Sequence, residues 1–190
     1  MNLEAEQQCV LAAQQDPDAF GVLFDAYYSK ILSYLVRRTG EAALAQDLTS
    51  ETFIKAYTKL WQFRWRSISF SAWLYRIATN ELRMHFRSKK HTFSLEALME
   101  SSGFDVRDSV DVQRELLEAE EALKRHGEFL HVQKRLQLLP LAYQEVIALR
   151  FFEEKSLKEI AEILGKKEGT IKSLLSRGLE KLRMAHVQPS

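Results

Sequence analysis

The chain has 190 residues, with 27 Lys and Arg against 26 Asp and Glu, a formal net charge of +1. At 46% apolar and 28% charged it can build a core and keep a solvated surface, which excludes long disorder. With only 7 Gly and 3 Pro, turn-formers are scarce and long helices are favoured, and no apolar run approaches the ~18 residues of a membrane span.

The first residues, Met1-Asn-Leu-Glu-Ala-Glu6, are acidic and lack an apolar segment, so no signal peptide is expected. Cys9 stands alone, which rules out an internal disulfide and a structural zinc site built on cysteines. A cytoplasmic chain without membrane insertion is the expectation. Asp16-Pro17-Asp18 reads as a helix start. Phe20, Leu23, Phe24, Tyr27, Ile31, Tyr34 and Leu35 then fall on one stripe, and Gly40 ends the helix. A second helix is expected over residues 41–62. Residues 63–70 break the pattern, and a third long helix is expected over residues 71–89.

Charge is unevenly spread. Residues 1–91 carry 12 basic and 9 acidic side chains, residues 92–123 carry 2 and 9, and residues 124–190 carry 13 and 8. Two basic ends flank an acidic middle, as expected of two modules that meet polyanions and a connector that does not. Residues 92–109 are acidic and Ser-rich and read as a linker. Helical spacing resumes from Val110, and Pro140 stops that helix or begins the next. Further helices fit residues 141–152, 156–164 and 168–184. The expected fold is all-α: two helical domains, residues 1–91 and 128–190, joined by an acidic linker over 92–127.

Three surfaces stand out. In the C-terminal part Ser156-Leu-Lys-Glu159 is a capping box and Gly165 a helix stop. The next helix buries Ile171, Leu174, Leu175, Gly178, Leu179 and Leu182 and turns Lys172, Ser173, Ser176, Arg177 and Lys181 outward. Such a pair sets a recognition helix in the DNA major groove, although an ordinary αα-hairpin gives the same pattern. In the N-terminal part Trp73, Arg76, Asn80, Arg83 and Arg87 are spaced 3, 4, 3, 4 on one helix face. Phe63, Arg64, Trp65, Arg66 and Phe70 lie just before it. Exposed aromatics beside cations make a stacking platform for unpaired bases along a phosphate track; core anchoring is the competing reading for Trp73 and Phe70. On the second helix Asp47, Glu51, Ile54, Lys55 and Thr58 form a mixed-charge stripe that faces either a protein partner or water.

Together these pieces resemble the extracytoplasmic-function (ECF) sigma factors of bacterial RNA polymerase. Ala45-Gln-Asp-Leu-Thr-Ser-Glu-Thr-Phe-Ile-Lys-Ala-Tyr57 is similar to the family's polymerase-binding segment. Residues 63–87, with Trp73-Leu-Tyr-Arg-Ile-Ala-Thr-Asn80, resemble its promoter-melting and minus-ten segment. Leu139-Pro-Leu-Ala-Tyr-Gln-Glu-Val-Ile147, Ser156-Leu-Lys-Glu-Ile-Ala-Glu-Ile-Leu-Gly165 and Glu168-Gly-Thr-Ile-Lys-Ser173 resemble its minus-thirty-five domain. The resemblance implies a sigma factor that docks on core polymerase through Asp47, Leu48, Glu51, Ile54 and Lys55. It implies minus-ten contacts by Phe63, Arg64, Trp65, Phe70, Trp73, Arg76, Asn80, Arg83 and Arg87. Minus-thirty-five contacts fall to Glu168, Thr170, Lys172, Ser173, Ser176, Arg177 and Lys181. The implied partners are core RNA polymerase, promoter DNA and an anti-sigma factor, with no cofactor, metal or small-molecule substrate.

Some positions depart from the family. Lys166 and Lys167 stand near places where it often has an apolar residue and Pro. Leu174 and Leu179 replace polar or basic residues, Met84 a common Asp and Ser50 a common Gln. The alternative is a helix-turn-helix regulator that acts without polymerase docking. An enzyme is not indicated: there is no H-E-x-x-H spacing, Gly-rich phosphate loop or nucleophile elbow, and His126 and His131 read as surface residues.

Overall fold

The computed structural model describes residues 2–65, 69–92 and 134–184, among which there are helices and turns and no strand. The expected linker beyond Thr92, and Arg66, His126 and His131, lie outside the described residues. The chain opens with a helix that the sequence patterning did not reveal, α1 (Leu3–Gln15). Asn2 starts it, its side-chain oxygen accepting the Ala5 N–H at 2.8 Å. Its apolar face is thin, Val10 and Ala13, and its third buried residue is Glu6. Asp16 then leads a short 3-10 turn, Pro17–Ala19, by accepting the Asp18 N–H.

Helix α2 (Phe20–Thr39) ends at Gly40, whose φ of 73° is left-handed. Helix α3 (Ala42–Lys59) tightens into a 3-10 turn at Leu60–Gln62. Helix α4 (Phe70–Thr92) runs three residues past its expected end. The expected stripe of α2 is the centre of the core: Leu23, Ile31, Tyr34 and Leu35 are fully buried, whereas Phe24 sits at the edge, 38% exposed, against Tyr28 and Phe53. Each fully buried Leu or Ile contributes about 1.5–3 kcal/mol of transfer free energy. Leu74, Ala78 and Leu82 of α4 close the core from the other side.

Glu6 explains why α1 belongs to this unit. Its Oε1 accepts the Tyr27 hydroxyl at 2.5 Å and the Ser71 N–H at 2.8 Å. A carboxylate is thereby set on the first turn of α4, where the helix dipole favours it. Burial, with Glu6 next to it, pushes the Tyr27 hydroxyl well above its ordinary pKa, so it stays a donor.

In the C-terminal part α5 (Leu141–Ile147) widens into a π turn at Ala148–Phe152, a departure from the single helix expected there. Helix α6 (Leu157–Leu164) begins with the Ser156–Glu159 capping box and stops at Gly165, φ 63°. Helix α7 (Glu168–Met184) follows. A Cβ on Gly178 would lie 3.0 Å from Ile147 Cδ1 and 3.2 Å from Tyr143 Cβ, so glycine lets α7 press against α5. Leu179, expected in the buried stripe, is 36% exposed at its rim.

The turn between the π segment and α6 carries strain. Glu154 has φ 52°, the left-handed region where a side chain costs about 1–2 kcal/mol. Glu154→Gly relieves that strain and returns part of it as unfolded-chain entropy, leaving a gain of about 0.5–1 kcal/mol. Thermal unfolding of the two proteins should show a higher midpoint for the variant; an unchanged or lower one contradicts the strain.

Candidate nucleic-acid and partner interface

The minus-ten candidates divide by depth. Phe63 and Phe70 are 5% and 0% exposed and so belong to the core, which corrects the exposed platform expected of Phe63 and favours the core-anchor reading of Phe70. They are the footing for two half-buried tryptophans. Phe63 packs edge-on to Trp65 at 5.9 Å between ring centroids and tilts against Trp73 at 5.1 Å, and Phe70 lies 5.6 Å from Trp73. Rings so braced cost little entropy to present. Arg64, Arg76, Asn80 and Arg87 are exposed. Arg83 is half-buried, and its guanidinium is held by Glu145 of α5, with Nε and Nη2 donating at 2.7 and 2.6 Å. That bond and charge raise the Arg83 pKa further above its ordinary value.

The loop that carries Arg64 and Trp65 is tied from behind. The Gln14 side-chain amide donates to the carbonyls of Leu60 and Phe63, at 2.8 and 2.9 Å. Ser69 caps α4, its hydroxyl accepting the Ala72 N–H. These supports come from α1 and the loop itself.

On α3, Asp47, Glu51 and Ile54 are exposed, and Ile54 is 57% so. Leu48 is 7% exposed and packs inward, on the side of α3 away from the mixed-charge stripe, so it shapes this face from within. Lys55 is paired with Glu81 of α4 and lies 3.9 Å from Glu51. Two exposed aromatics extend the face beyond the predicted set: Tyr57, 47% exposed, and Trp61, 66% exposed. With Ile54 they fall at i, i+3 and i+7, an apolar stripe on the solvent side, which is the usual mark of a docking surface.

The third surface keeps its expected form. Glu168, Thr170, Lys172, Ser173, Ser176, Arg177 and Lys181 are all exposed on α7 while Ile171 and Gly178 face inward. The Ser173 hydroxyl donates to the Gly169 carbonyl, which leaves its oxygen able to accept. Lys166 and Lys167 are both exposed in the turn, so the departures from an apolar residue and Pro there add two cations beside α7. Glu159 is half-buried in its capping box. Burial pushes its carboxyl up, but the Ser156 hydroxyl and N–H with Lys155 together bring it below the ordinary carboxylate value. Among the described residues no group of His, Cys, Asp and Glu is arranged to hold a metal. No helix there is long and apolar enough to cross a membrane.

Comparison with known proteins bears on both parts of the chain. The family model for Sigma-70 region 2 matches residues 23–92, and that for Sigma-70, region 4 matches residues 130–182. The ECF RNA polymerase sigma factor SigW of Bacillus subtilis is 36% identical over 169 residues, covering 88% of this chain and 89% of SigW. The RNA polymerase sigma-H factor of Pseudomonas aeruginosa is 34% identical over 188 residues, covering 98% of this chain and 95% of that one. The ECF RNA polymerase sigma factor BldN of Streptomyces coelicolor is 35% identical over 167 residues, and the chain spans only 60% of its length. In fold the chain is similar to CnrH in complex with the cytosolic domain of CnrY, with a TM-score of 0.69 at 22% identity over 98% of this chain and 99% of that one. It is also similar to RpoE in complex with the anti-sigma factor NepR from Bartonella quintana, with a TM-score of 0.64 at 24% identity over 90% and 98%.

The depth ranking can be checked directly. Phe70→Ala should cost about 3–5 kcal/mol of stability by opening a cavity under the tryptophans, whereas Arg76→Ala should change stability by less than about 0.5 kcal/mol. Chemical denaturation reads both. A Phe70→Ala protein as stable as its parent would put that ring outside the core.

Proposed function

The chain belongs to the extracytoplasmic-function (ECF) sigma factors, and from that premise we propose how its residues divide the work of a non-enzymatic initiation factor. The N-terminal unit, residues 1–91, docks on core RNA polymerase and takes the opened minus-ten strand. The C-terminal unit, residues 128–190, reads the minus-thirty-five duplex. Residues 92–127 are the acidic connector between them. The observation that carries this division is one chain with two cationic surfaces of different kind. One interleaves tryptophan with arginine, as unpaired bases require. The other is the polar face of a capped recognition helix, as a duplex groove requires.

On the first surface Trp65 and Trp73 supply π faces, Asn80 supplies an amide to a base edge, and Arg64, Arg76, Arg83 and Arg87 follow the backbone phosphates. On the second, Lys172 and Lys181 hold phosphates, while Ser173, Ser176 and Arg177 reach base edges and Glu168 and Thr170 flank the entry of the helix. Polymerase docking falls to Asp47, Glu51, Ile54 and Lys55, extended by Tyr57 and Trp61. Chromosomal promoters place this work in the cytoplasm. Relatives of this fold bind anti-sigma factors, and we assign this chain a restraint of that kind. A regulator acting by its helix-turn-helix alone has no use for the region 2 unit at residues 23–92, so that alternative is not favoured.

Two templates separate the surfaces, one fully duplex and one with the minus-ten bubble already open. Trp73→Ala and Asn80→Ala should each lose about 1–3 kcal/mol of strand capture, seen as slow promoter opening on the duplex template. Arg177→Ala should relax minus-thirty-five choice on both templates by about 1–3 kcal/mol. Asp47→Lys should weaken binding to core polymerase while leaving the chain folded. Normal transcription from closed duplex by folded Trp73→Ala and Asn80→Ala proteins would overturn the minus-ten assignment.

A further inference from the structure

The second half of α4 lines a cleft of about 720 Å3 that also takes in residues of the C-terminal helices. Met84, Phe86 and Arg87 line it from α4, Leu141 from α5, and Lys166 from the turn before α7. The apolar part of this lining is not core. Met84 is 57% exposed and Leu141 38% exposed, although both side chains are large, and Phe86 is half-buried. Small-molecule sites occupy about 300–1,000 Å3 and are mostly apolar with a few placed polar groups, so the cleft has both the size and the make-up of one.

The charges in the cleft sort into two kinds. Arg83 and Glu145 both reach it, but Glu145 holds the guanidinium with both oxygens, at 2.7 and 2.6 Å, so the pair satisfies itself and offers a ligand little net charge. Arg87 and Lys166 are exposed, and neither enters an ion pair among the described residues. Two uncompensated cations therefore border an apolar surface. Met84 and Lys166 are also two of the positions at which this chain departs from its family, and although far apart in sequence they line the same cleft. An Asp at position 84 would bring a carboxylate into the cleft and cancel one of the two charges.

We propose that the cleft is a binding site for a small amphipathic anion, a molecule with an apolar body and one carboxylate, sulfonate or monophosphate head. The body lies on Met84, Phe86 and Leu141 and takes from water the apolar surface those side chains expose. The head meets Arg87 and Lys166. Two cations match a head of one or two negative charges, fall short of a triphosphate and repel a cationic amphiphile. Such a site gives the chain a small-molecule input separate from its protein and DNA partners.

The test uses the full chain and isothermal titration calorimetry with decanoate and 1-naphthalenesulfonate, which share a head charge and differ in the body. At least one of them should bind at a single saturable site per chain and raise the thermal unfolding midpoint. Which one binds tells an acyl body from an aromatic one. Decyltrimethylammonium and ATP should each bind about ten-fold more weakly than that anion, or not at all. Lys166→Glu reverses one cation, and Met84→Asp replaces part of the apolar lining with a carboxylate. Both positions are exposed, so each variant should unfold at the parent's midpoint without ligand and bind the anion about ten-fold more weakly. Should one variant unfold early, the other carries the comparison. No saturable binding of either anion overturns the site. Binding that the folded variants leave unchanged overturns its placement in this cleft. Equal binding of decyltrimethylammonium overturns the charge selection, and tighter binding of ATP overturns the ligand class.

Discussion

Arg38 carries a positive charge into the interior of the N-terminal helices, where it is 2% exposed, and its neighbours are arranged around that charge. Its Nη1 donates to the Tyr34 hydroxyl at 2.9 Å, which shares a hydrogen bond of 2.8 Å with Thr79 of α4. Burial holds the Tyr34 hydroxyl above its ordinary pKa, so it stays neutral and links α2 to α4 as a dipole. The carboxylate that faces Arg38 is Glu145, from the far end of the chain. A single acidic side chain thus answers a core cation on α2 and a half-buried cation on α4 together. The relation between the two halves of the molecule turns on it.

Around this centre the structure separates support from contact. Phe63 and Phe70 are interior rings that set the tilt of Trp65 and Trp73, and α1 holds both the loop and the start of α4 through Gln14 and Glu6. Side chains lying behind the two tryptophans therefore fix the position of both rings to within the tolerance of packed side chains. In the C-terminal unit Gly178 has the same role, since it lets α7 approach α5 and so sets the angle at which Lys172 and Arg177 project.

Local rules were legible in the sequence wherever a named side chain closes a helix end. Ser156, Glu159 and Gly165 bound α6, and residues 168–184 stand as α7 on the range that periodicity indicates. The alternation of Trp, Arg and Asn along α4 likewise marks a surface without reference to anything distant. Legibility fails where burial depends on partners far along the chain. Helix α1 has little apolar periodicity because one of its buried groups is Glu6, which accepts hydrogen bonds from Tyr27 and the first turn of α4. Phe63 and Phe70 bound a loop that has no helical period of its own, and only packing puts them inside. Trp61 lies in a 3-10 turn that the helical pattern runs straight through, so its exposure has no local signal. The pairing of Glu145 with Arg83 spans 62 positions and is a property of the fold.

The central claim is that this chain confers promoter choice on core polymerase through two linked surfaces. The most direct measurement is transcription in vitro with core RNA polymerase and the genomic DNA of the source organism, with and without the chain, followed by mapping of RNA 5′ ends. The account predicts a discrete set of start sites that require the chain and share two upstream elements at minus-ten and minus-thirty-five. A start-site profile unchanged by adding the folded chain would contradict it.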